Sequence, residues 1–329
     1  MSFPITDESD LDVSSKLEFA RDLVEALQRR PRQISPKYFY DKRGSELFDA
    51  ICELPEYYPT RCEMEIMQVH GESIGEHLGR EVQLVEYGSG SSLKTRRLLD
   101  VLEAPHRYVP VDISSEHLHQ AAEALEGDYP HLEISPVAAD FSSPFEVPNT
   151  SGTKARTVVY FPGSTIGNFE PAEALAILSQ ISSQIQDNGG LLIGVDLKKD
   201  VSTLENAYND AAGVTAEFNL NLLHRVNREL DGDIEVDAFE HVALYNADAG
   251  RIEMYLESQS DQEWMVDGKT WEISAGERIC TEYSHKYSID EFCELAGKAG
   301  LSLERSWTDS ENYFAVLHFC PATARRRAK

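Results

Sequence analysis

Apolar residues near the start of the chain recur at three- and four-residue intervals. Leu17, Ala20, Leu23, Val24 and Leu27 form one stripe and predict a helix over residues 14–30. Pro31 and Pro36 then break the pattern. Residues 37–61 mix aromatics with turn-forming residues, and Leu47, Phe48 and Ile51 predict one short helix among them. From residue 82 the rhythm changes to short apolar runs. Val82–Glu86, Tyr108–Val111, Leu132–Ala138, Thr157–Phe161 and Leu191–Val195 each read as a buried strand. The segments Lys94–Leu102, Glu116–Leu125 and Pro171–Gln186 between them carry helical periodicity. Strands alternating with helices predict a parallel sheet covered on both faces, an α/β fold whose ligands bind beyond the carboxyl ends of the strands.

The alternation is interrupted over residues 199–286. That stretch predicts helical pieces at Leu204–Tyr208 and Val214–Leu230, then strands at Ala238–Tyr245, Arg251–Ser258, Trp264–Val266 and Thr270–Ile273. A helix at Ile289–Ala299 and strands at Leu301–Trp307 and Tyr313–Phe319 follow. The last two strands are joined by a short polar loop, so the parallel sheet ends in an antiparallel hairpin. The N-terminal segment is expected to pack with the 199–286 insertion as a second domain.

Composition narrows the function classes. With 41% hydrophobic and 26% charged residues, the chain reads as a soluble globular protein. Its formal charge of −27 repels phosphate backbones, and the basic cluster Arg325, Arg326, Arg327 and Lys329 reads as a solvated tail, so no nucleic-acid partner is expected. No apolar run reaches membrane-spanning length, and the opening Met1–Glu8 lacks a basic region followed by an apolar core; neither a membrane nor a secretory signal is expected. The five cysteines are odd in number and spread out without a C-x-x-C pair, which argues for a reducing cytoplasm and against a disulfide framework or a zinc site. His117 and His119 sit two apart on a predicted helix and diverge, Asp231–Asp237 departs from a calcium loop at Val236 and Val242, and no nucleophile elbow is present, so no metal is expected.

The first strand runs into Glu86-Tyr87-Gly88-Ser89-Gly90-Ser91-Ser92-Leu93-Lys94-Thr95. Glycines between a strand and a helix let a ligand approach the backbone closely. Leu93 stands where either a dinucleotide fingerprint or a phosphate-binding loop needs a different residue. Glu86 opposes a polyphosphate and suits a ligand that presents an ammonium group, such as S-adenosylmethionine, whose carboxylate Lys94 could take. Asp112 ends the second strand 22 residues past Gly90, where a carboxylate accepts ribose hydroxyls; this does not separate a nicotinamide cofactor from S-adenosylmethionine. After the third strand, Asp140 can take an adenine amino group and Phe141 can cover the ring. The fourth strand runs into Gly163-Ser164-Thr165-Ile166-Gly167-Asn168, where small residues leave room and Asn168 offers both donor and acceptor to an amino acid.

Phe39-Tyr40-Asp41, Gly44–Asp49, Leu54-Pro55-Glu56-Tyr57-Tyr58-Pro59-Thr60-Arg61, Gly88-Ser89-Gly90-Ser91, Gly163–Asn168, Gly213-Val214-Thr215, Asn227–Leu230 and Arg251–Met254 resemble the L-histidine Nα-methyltransferase family. The resemblance spans residues 35 to 310. It implies trimethylation of L-histidine to hercynine with S-adenosylmethionine, the first step of ergothioneine biosynthesis. It also implies a class I (Rossmann-like) methyltransferase domain at 62–198 and 287–329, and an α+β substrate-binding domain at 1–61 and 199–286. By the same resemblance Gly88, Lys94, Asp112, Asp140 and Phe141 bind the cofactor. Tyr57, Asn168 and Tyr208 hold the amino-acid backbone, with Tyr40 near the amine and Asn168 and Tyr40 the catalytic pair. Glu282 and Ser284 meet the imidazole, and Met254 and Phe48 line its pocket. The protein is expected to be a cytoplasmic monomer. The alternatives are a relative acting on another amino acid or an arylalkylamine, a nicotinamide-dependent oxidoreductase, disfavoured by Leu93 and Glu86, and a non-catalytic adenosine-ligand sensor.

Overall fold

The structure is a computed structural model of the chain and describes residues 8–89, 93–113, 115–150, 153, 155–266 and 268–322. The basic tail and the motif residues Gly90, Ser91 and Ser92 lie outside the described residues, as does the side chain of His117. The chain divides into two compact units, each built from two separated stretches: Met1–Tyr57 with Asp200–Tyr283, and Tyr58–Lys199 with Ser284–Lys329.

In chain order, α1 (Glu8–Gln28) and α2 (Lys42–Cys52) open the first unit. The second unit continues with α3 (Tyr58–Leu78), β1 (Val82–Tyr87), α4 (Leu93–Val101), β2 (Arg107–Asp112) and α5 (Ser115–Asp128). It proceeds through β3 (Glu133–Ile134), β4 (Val137–Ala138), β5 (Arg156–Phe161), α6 (Pro171–Ile185) and β6 (Gly190–Asp196). The chain returns to the first unit with α7 (Val201–Asn206), α8 (Val214–Glu229), β7 (Phe239–Asn246), β8 (Arg251–Ser258), β9 (Gln262–Val266), β10 (Lys269–Ile273) and β11 (Arg278–His285). It closes in the second with α9 (Ile289–Lys298), β12 (Leu301–Thr308) and β13 (Phe314–Pro321).

The second unit holds an eight-stranded sheet in the order β12-β13-β6-β5-β1-β2-β3, with β4 also paired to β2. The strands from β6 to β4 pair in parallel, whereas β13 runs antiparallel to both β6 and β12, as the hairpin requires. Every residue of β1 and β6 is buried, because helices cover both faces of a parallel sheet. One face packs Val85, Val159, Ile193 and Leu317 against Ile177 and Ile181 of α6 and Phe292 of α9. The first unit carries a three-stranded sheet, β11-β8-β7, and the β9-β10 hairpin, with Trp264 fully buried beside Phe239. Among the described residues, no helix is long and apolar enough to cross a membrane.

Three elements depart from the sequence expectation. The single strand expected at Leu132–Ala138 is two short ones, interrupted at Ser135-Pro136, because proline has no N–H to give the ladder. The strand β11 was not predicted, since Thr281, Glu282, Ser284 and His285 are buried polar residues that hide its apolar signal. Nor was α3, whose buried face carries Glu63, Gly71 and Gly75 among its apolar positions. Those glycines have a packing role: a Cβ on Gly75 would lie 2.3 Å from the carbonyl oxygen of Val101 on α4. Ala is the better helix former by up to about 1 kcal/mol, so the sign of a substitution here reports the packing. Gly75→Ala is expected to destabilise the protein by about 1–3 kcal/mol through this overlap, read from the urea midpoint at unchanged m; a stabilised variant would refute the close approach.

Candidate active site

In the second unit, the residues singled out after the strands lie at the carboxyl ends of neighbours in the sheet. Gly88 follows β1 with φ +75°, a conformation that favours glycine, and its N–H is 2.9 Å from the Val111 carbonyl. A Cβ there would sit 3.9 Å from the Phe141 ring. Asp112 is the last residue of β2, half-buried, and its carbonyl accepts the Ala139 N–H. Asp140 follows β4 and closes a turn, one carboxylate oxygen accepting the Ser142 N–H at 2.8 Å and its hydroxyl at 2.6 Å. Phe141 stacks on Tyr87 at 5.3 Å and meets Phe161 and Phe169 edge-on. Gly88, Asp112, Asp140 and Phe141 therefore line one edge of the sheet, in the crevice position where such folds hold ligands.

Glu86 takes a different part from the expected one. Its carboxylate is 2% exposed and accepts hydrogen bonds from the Thr95 and Tyr108 hydroxyls, so it is engaged inside the unit and not offered to a ligand's ammonium. Burial pushes its pKa up to about 7, against the pull of those two donors. Lys94, in the first turn of α4, reaches the buried Glu63 at 2.5 Å.

The loop after β5 is pinned at several points. The Gly163 N–H donates to Glu63 Oε2, and Ser164, at φ +58°, accepts the Asp196 N–H on its hydroxyl. A Cβ on Gly167 would lie 2.7 Å from the His285 carbonyl oxygen. These restraints deliver Asn168 at the end of the short helical turn Thr165–Asn168. Asp196 itself is buried with Lys199 at 2.5 Å, Lys286 at 2.7 Å and the Tyr58 hydroxyl at 2.8 Å. Burial opposes its charge, yet Lys286 and Lys199 outweigh it and hold the carboxyl below its ordinary value. Lys286 also donates to the buried Ser284 hydroxyl at 2.8 Å.

In the first unit a chain of edge-on aromatic contacts joins four of the expected residues. Tyr40 meets Phe48 at 5.7 Å, Phe48 meets Tyr57 at 6.2 Å, and Tyr57 meets Tyr208 at 6.3 Å. Phe218 of α8, which sequence reasoning missed, supports both Tyr40 and Phe48. Desolvation pushes the Tyr57 hydroxyl well above its ordinary pKa, with Tyr208, Cys52, Glu282 and Tyr40 adding to the shift, so Tyr57 is a neutral hydrogen-bond donor. Met254 on β8 and Glu282 on β11 are both buried on neighbouring strands, and the Thr281 hydroxyl donates to the Met254 carbonyl.

Tyr208 is fixed by a residue the sequence did not mark. His241 Nε2 lies 2.8 Å from the Tyr208 carbonyl, and His241 Nδ1 lies 2.9 Å from the Asn219 amide nitrogen. That nitrogen also donates to the Tyr255 carbonyl, which fixes the amide orientation and makes Nδ1 the acceptor and Nε2–H the donor. Burial lowers the His241 pKa, in keeping with this neutral tautomer. Glu63 and His241 lacked any signal of spacing, although Glu63 stands two residues beyond the recognised run ending at Arg61.

The comparisons with known proteins extend over both units. A family model described as histidine-specific methyltransferase, SAM-dependent, matches residues 19–321. The chain is 42% identical to the histidine N-alpha-methyltransferase of Mycolicibacterium smegmatis, over 90% of its own length and 92% of that relative. It is 40% identical to the histidine N-alpha-methyltransferase of Mycobacterium tuberculosis, covering 91% and 94% of the two chains. It is also 30% identical to ergothioneine biosynthesis protein 1 of Neurospora crassa, over 86% of this chain and 32% of that longer protein.

The state of Glu86 has a measurable consequence. Between its ordinary value of 4.5 and its folded value of about 7, the unfolded chain has lost the proton while the folded chain keeps it. Stability from this group is fully present below pH 4.5 and is lost as pH rises through 7, by about 3 kcal/mol in all. Glu86→Gln is expected to remove that slope: the wild-type minus variant difference in unfolding free energy should fall between pH 5 and pH 8. A difference independent of pH in urea titrations would show that Glu86 is ionised in the folded protein.

Proposed function

Because the chain belongs to the histidine-specific, S-adenosylmethionine-dependent methyltransferases, we propose that it trimethylates the α-amine of L-histidine to hercynine, the first step of ergothioneine biosynthesis. The observation that carries this reading is the extent of the match. The family model runs through residues 19–321 and so takes in the first unit as well as the methyltransferase sheet.

The residues fit the cofactor by their chemistry. Gly88 leaves open the space a side chain would fill, Asp112 and Asp140 are acceptors for ribose hydroxyls and an adenine amine, Phe141 offers a ring face, and Lys94 a cation for a carboxylate. When bound, S-adenosylmethionine supplies an electrophilic methyl group on a sulfonium. The protein's own task is positioning, since methyl transfer to an amine needs no covalent enzyme intermediate. Tyr57, Tyr208 and Asn168 hold the histidine carboxylate through neutral donors, and Asn168 and Tyr40 aim the amine lone pair. Glu282 and Ser284 hydrogen-bond the two ring nitrogens, with Met254 and Phe48 packed about the ring, which selects imidazole over phenyl or indole.

The same reading makes the protein a cytoplasmic monomer without nucleic-acid or membrane partners. The five cysteines, all free thiols, support the reducing compartment, and the formal charge of −27 argues against a nucleic-acid partner.

Mass spectrometry of the protein incubated with S-adenosylmethionine and an equimolar mixture of the twenty amino acids tests the activity directly. Histidine alone should gain three methyl groups. Methylation of another amino acid, or of an arylalkylamine offered in its place, would replace the histidine assignment within the same family. Glu282→Ala should then erode the preference for histidine over tryptophan in kcat/KM by about 10- to 100-fold, the worth of a charge-assisted hydrogen bond. Selectivity equal to wild type would remove Glu282 from imidazole recognition.

A further inference from the structure

We propose that Glu63 is a positioning residue: its buried carboxylate aims Lys94 at the cofactor and pins the loop that ends in Asn168. The proposal rests on the reading of Lys94 as the residue that takes the cofactor's carboxylate. Glu63 lies on α3, outside the strand-end residues so far assigned to ligand binding, and has no exposed surface. Its Oε2 receives two donors, Lys94 Nζ at 2.5 Å and the Gly163 N–H at 2.9 Å. A carboxylate withdrawn from water is strongly unfavourable unless it is paired and hydrogen-bonded, so an apolar residue would be the ordinary occupant of such a position.

The fold makes room for the acid. Gly194 lies in the middle of β6, where glycine weakens a strand, and a Cβ there would come within 2.6 Å of Glu63 Oε1. Gly163 has φ +74°, and a Cβ on it would stand 3.5 Å from Lys94 Nζ. Two glycines, one in the sheet and one in the loop, thus frame the same ion pair.

The consequence is preorganisation. A lysine ammonium sits on a flexible four-carbon stem and loses much rotamer freedom on being fixed. Glu63 removes that freedom before the cofactor arrives, which spares the cost at binding. The oxygen that holds Lys94 also holds the Gly163 N–H, so the cation and the Gly163–Asn168 loop share one anchor.

The test is a double-mutant cycle on the full chain, read by isothermal titration with S-adenosylhomocysteine. Glu63→Gln, with its folding checked by circular dichroism, is expected to weaken binding about tenfold, because a neutral amide oxygen replaces the anion that faces the ammonium. In a Lys94→Met background the same substitution should change affinity by less than about twofold, since the group it acts through is gone. Wild-type affinity in Glu63→Gln, or an equal loss in both backgrounds, would overturn the proposal and leave Glu63 a packing residue. Where Glu63→Gln does not fold, Glu63→Asp is read by the same criterion, because its side chain is shorter by one methylene and its carboxylate cannot reach the two donors. Binding of S-adenosylhomocysteine is independent of the amine substrate, so a wild-type protein that binds it without methylating histidine would sink the substrate assignment alone. No binding by wild type would sink the reading of Lys94, and the proposal with it.

Discussion

The second unit depends on keeping Asp196 charged inside the protein. Its carboxylate, at the carboxyl end of β6, is 1% exposed and is met by two ammonium groups and a tyrosine hydroxyl. These partners come from three distant places in the sequence: Tyr58 at the start of α3, Lys199 just past β6, and Lys286 just past β11. Losing one partner of a buried ion pair costs about 3–5 kcal/mol, because the charge left behind is uncompensated, so all three chain segments must be in place for Asp196 to stay charged. The backbone of the same residue anchors Ser164 in its left-handed conformation, and the loop that delivers Asn168 inherits its shape from that anchor.

Two acids buried in this unit show how the partners decide the charge. Asp196 faces ammonium groups and stays ionised, whereas Glu86 faces hydroxyls and keeps its proton near neutral pH. Glu63, buried in the same unit, receives one cation and one backbone N–H on a single oxygen. An acid at the end of the first strand is therefore not by its presence a ligand for an ammonium group: Glu86 spends its hydrogen bonds on Tyr108 and Thr95 and braces β1 against β2 and α4.

The parallel sheet was legible because its strands are buried on both faces and so write continuous apolar runs. Val82–Tyr87 and Gly190–Asp196 are found within a residue or two of where the runs lie. Position after a strand end sufficed to mark Gly88, Asp112 and Asp140. What escaped was structure whose buried face is not apolar: α3, with Glu63 and two glycines facing inward, and β11, with Glu282 and Ser284. Tyr57 and Tyr208 lie outside the regular elements, and an isolated tyrosine carries no spacing that separates packing from chemistry. They entered only through the likeness to a family. His241 and Phe218 act behind these residues, and no pattern in a single sequence marks a residue that works through another.

Around Tyr57 the first unit sets neutral hydroxyls beside an acid. The groups that bear most on the Tyr57 hydroxyl are Tyr208, Cys52, Glu282 and Tyr40, every one an acid. Burial keeps Tyr57 neutral, and His241 behind Tyr208 is neutral as well. On the proposed reading, such a neighbourhood would hold a carboxylate by hydrogen bonds from hydroxyls without a fixed positive charge beside it. That choice matters for the proposed chemistry, because a trimethylated amine carries a permanent positive charge. A lysine or arginine in place of the tyrosines would hold a carboxylate more strongly, yet it would oppose a cationic amine through a weakly screened interior. Neutral donors give up some ground-state affinity and add no fixed charge of their own.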